Sequence, residues 1–187
     1  TRSKFLNALN HHKNGDFIKA ESAYRDILKE HPNDFDTLHH LGIMYTQIND
    51  FGNGIKFISR ALKINPKFYI AYNNRGIAYR NQNQIILAIN DFKKSIQLKA
   101  NYADPYYNLS LIYVGLGKMN EALKNCNKTI ELNSKFPEAH NIKGIIYSHN
   151  NKLTESLKSF NNAISLKPKY FEAFNNRGST FAKFGKT

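Results

Sequence analysis

The sequence repeats on itself every 34 residues without an insertion or deletion, and this register constrains the fold more than any other property of the chain. Set out in rows of 34 from Thr1, position 8 holds only small residues: Ala8, Gly42, Gly76, Ser110, Gly144 and Gly178. Position 20 is equally small, with Ala20, Gly54, Ala88, Ala122 and Ser156. Position 11 carries a ring in every row: His11, Tyr45, Tyr79, Tyr113, Tyr147 and Phe181. Position 24 holds Tyr24, Ile58, Phe92, Cys126 and Phe160. Small columns let two helix backbones approach, and large side chains fill the gaps between them.

Position 15 reads Gly15, Asn49, Asn83, Gly117, Asn151 and Gly185. Gly and Asn tolerate the left-handed backbone that ends a helix, so this column predicts a turn in each row. A second break falls at position 32, with Pro32, Pro66 and Pro168, where Ala100 and Ser134 depart from the pattern. Each row therefore predicts helix A over about positions 2–14, a tight turn, and helix B over about 17–30. The expected fold is all-α, a right-handed α-α superhelix of about five and a half units in one domain, 1–187. Its repeats are 1–34, 35–68, 69–102, 103–136 and 137–170, with a partial unit 171–187.

Row two reads Leu38, Leu41, Gly42, Tyr45, then Gly54, Ile58, Ala61, Pro66; row five reads His140, Lys143, Gly144, Tyr147, then Ser156, Phe160, Ala163, Pro168. This pattern resembles the tetratricopeptide repeat along the whole chain. Row one is its weakest member, with Lys4, Asn7 and His11 in the first helix, as suits a cap facing water. The wording of the rows, "AYNNRGIAY" and "AFNNRGSTF" among them, also resembles the superhelical region of O-GlcNAc-transferase-like and SPINDLY-like proteins. That resemblance implies a recognition arm of a larger protein; no glycosyltransferase domain is present, so it implies no catalysis here.

The tetratricopeptide resemblance places a ligand in a concave groove lined by positions 2, 5, 6, 9, 12 and 13 of helix A. Position 5 supplies His39, Asn73, Tyr107, Asn141 and Asn175, and position 6 supplies His40, Asn74, Asn108 and Asn176, with Arg80 at position 12. A side-chain amide offers a donor and an acceptor together, matching the backbone of an extended peptide. Each such bond contributes only about 0.5–1.5 kcal/mol, so several must act in series. The transferase-like resemblance implies an asparagine ladder at these positions, which His40 and Ile142 interrupt. The alternative for the same residues is solvated Asn without a ligand. The two-Lys, one-Arg carboxylate clamp of chaperone-binding relatives is missing in every register, since position 9 is Leu9, Ile43, Ile77, Leu111, Ile145 and Ser179.

The net charge of +13 is spread over all rows, and many of its cations (Lys19, Lys56, Arg60, Lys93, Lys94) fall on helix B. Nucleic-acid solenoids set cations where the phosphate backbone tracks, so this distribution argues against RNA as the partner. The expected partner is a protein or peptide segment; the rival is self-association through the solenoid ends. No phosphate loop, nucleophile elbow or His-x-x-x-His pair occurs, so neither catalysis, a cofactor nor a metal is expected. Two glycosylation-like triplets, Asn108-Leu-Ser110 and Asn127-Lys-Thr129, fall inside helices and read as chance. A single cysteine, Cys126, in the column of large residues predicts an inert buried thiol and suits a reducing, cytoplasmic compartment. The half unit at 171–187 holds helix A without its helix B, so an apolar flank is expected to lie uncovered there.

Overall fold

The computed structural model describes residues 2–185. Among them are α1 (Arg2–Lys13), α2 (Phe17–Glu30), α3 (Phe35–Gln47), α4 (Phe51–Ile64), α5 (Tyr69–Asn81) and α6 (Ile85–Leu98). There follow α7 (Asp104–Gly115), α8 (Met119–Leu132), α9 (Pro137–His149), α10 (Leu153–Leu166) and α11 (Phe171–Phe184). Odd-numbered helices are the A helices of the rows and even-numbered ones the B helices. No strand occurs among the described residues, so the fold is an all-α helical repeat.

The helices start where local chemistry satisfies their first N–H groups. Asp16, Asp34 and Asp50 accept from the backbone N–H of Lys19, Thr37 and Asn53 at the starts of α2, α3 and α4. In α7 and α9 a proline, Pro105 or Pro137, occupies the first turn, where a missing N–H costs nothing.

The turn column behaves as its chemistry demands. Gly15, Asn49, Asn83, Gly117 and Asn151 all have positive φ, between 57° and 76°. The A helices α1, α3, α5, α7 and α9 close with the same pair of bonds. Asp16 N–H donates to His11 O, and Gly15 N–H to His12 O. Asp50 with Tyr45, Gln84 with Tyr79, Lys118 with Tyr113 and Lys152 with Tyr147 repeat the longer bond. This is the Schellman closure, which satisfies the last carbonyls of helix A and aims the chain into helix B. Gly185 departs from the column, with φ −79° and an ordinary helical bond to Phe181 O. The donor that would complete its closure, residue 186, lies outside the described residues.

The chain packs as two compact units, Thr1–Ala100 and Asn101–Thr187, which hold α1–α6 and α7–α11. In both, the interlock within a row is position 8 against position 24. A Cβ on Gly76 would stand 2.7 Å from the Phe92 ring, and one on Gly144 would stand 2.6 Å from that of Phe160. Gly42 meets Ile58 in the same way at 2.5 Å. Gly178 meets nothing within 4 Å, since no described helix follows α11. Phe174 and Phe181 are accordingly exposed, the uncovered apolar flank expected of that row.

The first unit has a core of Ala8, Ala20, Tyr24, Leu38, Leu41, Met44, Tyr45 and Phe57. The ring column is not uniform at its start. His12, rather than His11, is the buried member of row one: its Nε2 lies 2.6 Å from Gln47 Oε1, and its Nδ1 lies 3.3 Å from the Tyr24 hydroxyl. His11 is half-exposed and stands 3.6 Å from Asp16. The unit also holds an ion pair between A and B helices of row three. Arg75 Nε and Nη2 donate to the two oxygens of Asp91 at 2.7 and 2.8 Å, while Nη1 reaches Ser59 Oγ at 3.0 Å. In the second unit Cys126 is buried with Ala122, Ala139, Ile142 and Ile146, and burial pushes its thiol up to about 12, which leaves it unreactive.

Candidate interaction surface on the A helices

Within each unit successive A helices touch, and side chains one repeat plus one residue apart meet across that contact. Asn74 Nδ2 donates to His39 Nε2 at 3.1 Å, and Asn176 Nδ2 donates to Asn141 Oδ1 at 3.1 Å. In both pairs position 6 of one row reaches position 5 of the row before. At the same two positions elsewhere stand rings and an aliphatic side chain. The rings of His40 and Phe5 pack edge-on at 5.2 Å, and Ile142 and Tyr107 share the apolar cluster of the second unit. Seven residues further along the helix a second line of ties joins positions 12 and 13. His12 reaches Gln47, and Lys183 Nζ donates to Ser148 O at 2.8 Å.

These ties sort the expected groove residues into two sets. His39, Asn73, Asn108 and Asn141 are buried. Asn141 has no exposed surface at all; besides accepting from Asn176 it donates to Glu172 Oε1 at 3.2 Å and lies 3.4 Å from the Tyr170 hydroxyl. Burial holds the His39 imidazole down to about 4, so it is neutral and its Nε2 stays free to accept from Asn74. Phe35 and Phe68 enclose its ring, at 6.0 and 5.2 Å. His40, Asn74, Arg80, Tyr107 and Asn176 are half-exposed, and Asn175 is exposed.

Between the two lines of ties runs position 9, and it forms the surface that a reading of positions 5 and 6 misses. Ile43 and Ile77 in the first unit, and Leu111 and Ile145 in the second, are half-exposed apolar residues. One turn before them on the same helices stand His39 and His40, Asn73 and Asn74, Tyr107 and Asn108, and Asn141 and Ile142; one turn after stand Thr46, Arg80, Val114 and Ser148. The signal was present in the sequence as an unbroken apolar run at position 9 down to Ile145.

Three models of the tetratricopeptide repeat match the chain, over residues 35–68 and 103–136, residues 57–90, and residues 144–185. The chain is a tetratricopeptide repeat protein. The structure is similar to that of MamA, at 29% identity and a TM-score of 0.76, over 87% of this chain and 95% of that one. It is similar also to a tetratricopeptide repeat protein from Parabacteroides merdae, at 20% identity and a TM-score of 0.81, over 99% and 73% of the two chains. YrrB, described as a TPR protein with an unusual peptide-binding site, matches at 23% identity and a TM-score of 0.68, over 87% and 84%. No curated protein matches the chain. Among the described residues of this tetratricopeptide protein no helix is long and apolar enough to cross a membrane, and no group of three His, Cys, Asp or Glu could hold a metal ion.

Proposed function

We propose that this chain is a protein-interaction module that binds an extended peptide segment on the A-helix face of its repeats. The observation that carries this reading is the half-exposed apolar row at position 9, with the half-exposed polar residues His40, Asn74, Arg80 and Ser148 beside it at positions 6 and 12. Isolated exposed hydrophobes need no explanation, but a run of them at one position of successive repeats forms a shared surface within each unit. Such a surface takes the apolar side chains of a ligand, while neighbouring amides take its backbone. Asn74 and Asn176 each donate to an adjacent repeat, and their amide oxygens are left to accept from a bound strand. The peptide-binding site ascribed to YrrB supports the reading at the level of the shared fold. The transferase-like wording of the rows fits the same role, that of a recognition arm in a larger protein.

The test is selection of random twelve-residue displayed peptides on the immobilised chain, followed by calorimetric titration of the best binder. Ile43→Glu and Ile77→Glu should each weaken binding about tenfold or more with the helical circular dichroism unchanged. Ile18→Glu, at a side chain 85% exposed at the start of α2, should leave it unaltered. Equal affinity in all three variants would overturn the proposal.

A further inference from the structure

We propose that the recess between α9 and α11 seats an acidic side chain of the bound segment, with Lys183 as its counter-charge. This rests on the reading of the A-helix face as a peptide-binding surface and adds the chemistry of one subsite to it. The recess encloses about 290 Å³, at or below the roughly 300–1,000 Å³ of small-molecule sites, and so suits one side chain rather than a cofactor. Ile145 and the edge of Phe160 form its apolar floor, while Ser148, Ser179, Thr180 and Lys183 supply its polar wall.

Two features make it anion-selective. First, Lys183 Nζ donates only to neutral oxygens, Ser148 O at 2.8 Å and Asn151 Oδ1 at 3.0 Å. In this it differs from the five lysines held by a carboxylate and resembles Lys94, which donates to Gln97 Oε1; what sets it apart is that it lines a recess. Among the described residues no acid lines the recess or pairs with Lys183, and an ammonium with two acceptors keeps a third N–H to donate. The acids of the same helices, Glu138 and Glu172, sit at their opposite ends, eleven residues or about 16 Å along the axis. Second, position 9 turns polar in this row alone. Ser179 replaces the Leu or Ile of the other five rows and stands one helical turn before Lys183, on the same face. Its exposed hydroxyl and the ammonium are therefore two donors converging on one opening, above a floor that accepts the methylenes of Asp or Glu.

The experiment pans the same twelve-residue displayed library separately on the wild-type chain and on Lys183→Gln. The wild-type pool should be enriched in Asp or Glu at one position, and the Lys183→Gln pool should retain binders but lose that enrichment. For the best wild-type peptide, Lys183→Gln should weaken affinity about tenfold. Against the Glu→Gln form of the same peptide the variant should change it less than twofold. Ser179→Ala should give a smaller loss in the same direction. Binders with the same acid content in both pools would overturn the subsite and leave the peptide-binding surface standing. No enrichment of any peptide on either protein would overturn both.

Discussion

The amide of Asn176 donates to Asn141 across a full repeat plus one residue, and Asn74 stands in the same relation to His39. Repeats are thus joined by a polar tie that recurs in both units at the positions where free peptide-binding amides were expected. A buried acceptor that loses its donor keeps its desolvation cost, so these ties hold register as well as adding stability.

Replacing Asn176 by Ala should therefore destabilise the second unit by about 1–2 kcal/mol, because Asn141 Oδ1 loses its donor in a site closed to water. Asn175→Ala, at the exposed neighbouring position, should stay within about 0.5 kcal/mol of wild type. Urea unfolding followed by circular dichroism measures both, and equal effects would contradict the tie.

Two glycines of one column should respond in opposite directions. Gly76→Ala drives a methyl group into the Phe92 ring and should cost about 1–3 kcal/mol, since a filled interior must shift to admit it. Gly178→Ala meets open space in α11 and should gain up to about 1 kcal/mol from helix propensity. Thermal melting of the two variants separates the outcomes.

Asp91→Ala should lower stability by about 3 kcal/mol, because it leaves the Arg75 guanidinium partly buried without a counter-charge, held by the Ser59 hydroxyl and the rings of Tyr72 and Tyr79. The double change Arg75→Met with Asp91→Leu should recover most of that loss, since an apolar pair of similar size needs no counter-charge. Denaturant titration of the two variants is the check. A double variant no more stable than the single one would show that packing, not the uncompensated charge, dominates.

His39 links stability to pH. Its folded pKa is depressed by burial to about 4, below the ordinary 6.5 of the unfolded chain, so the unfolded state takes up the proton first. Stability from this residue is complete above about pH 6.5, falls as the pH drops, and levels off near pH 4. Between pH 7.5 and 5 the loss should reach about 2 kcal/mol, over a range in which most carboxylates remain ionised. Unfolding midpoints of wild type and His39→Phe at pH 7.5 and 5 test this. The variant, which keeps an aromatic ring beside Phe35 and Phe68, should lose markedly less on acidification.

The elements of the fold were legible in the chain because each depends on neighbours a few residues away. The positive φ of Asn49, Asn83 and Asn151 follows from what a Gly or Asn backbone tolerates at a helix end. The aliphatic or ring knobs at Ile58, Phe92 and Phe160 follow from the missing side chains at Gly42, Gly76 and Gly144. Helix ends fell within a residue or two of the expected bounds for the same reason.

The use of the polar columns was not legible. Positions 5 and 6 both read as groove asparagines, yet Asn141 is wholly buried and Asn175 exposed within one column. Whether an amide faces solvent or a partner 35 residues away depends on how one repeat is rotated against the next, and the apolar packing between helices sets that rotation. The same packing buried His12 in place of His11, paired Arg75 with Asp91, and left Lys183 facing a recess without an acid. Residue types and their spacing decided where this chain is helical and where it turns, because those are local matters of backbone sterics. Which polar atoms remain for a ligand was decided only when the helices came together, because burial and hydrogen bonding belong to the packed repeats and not to any one segment.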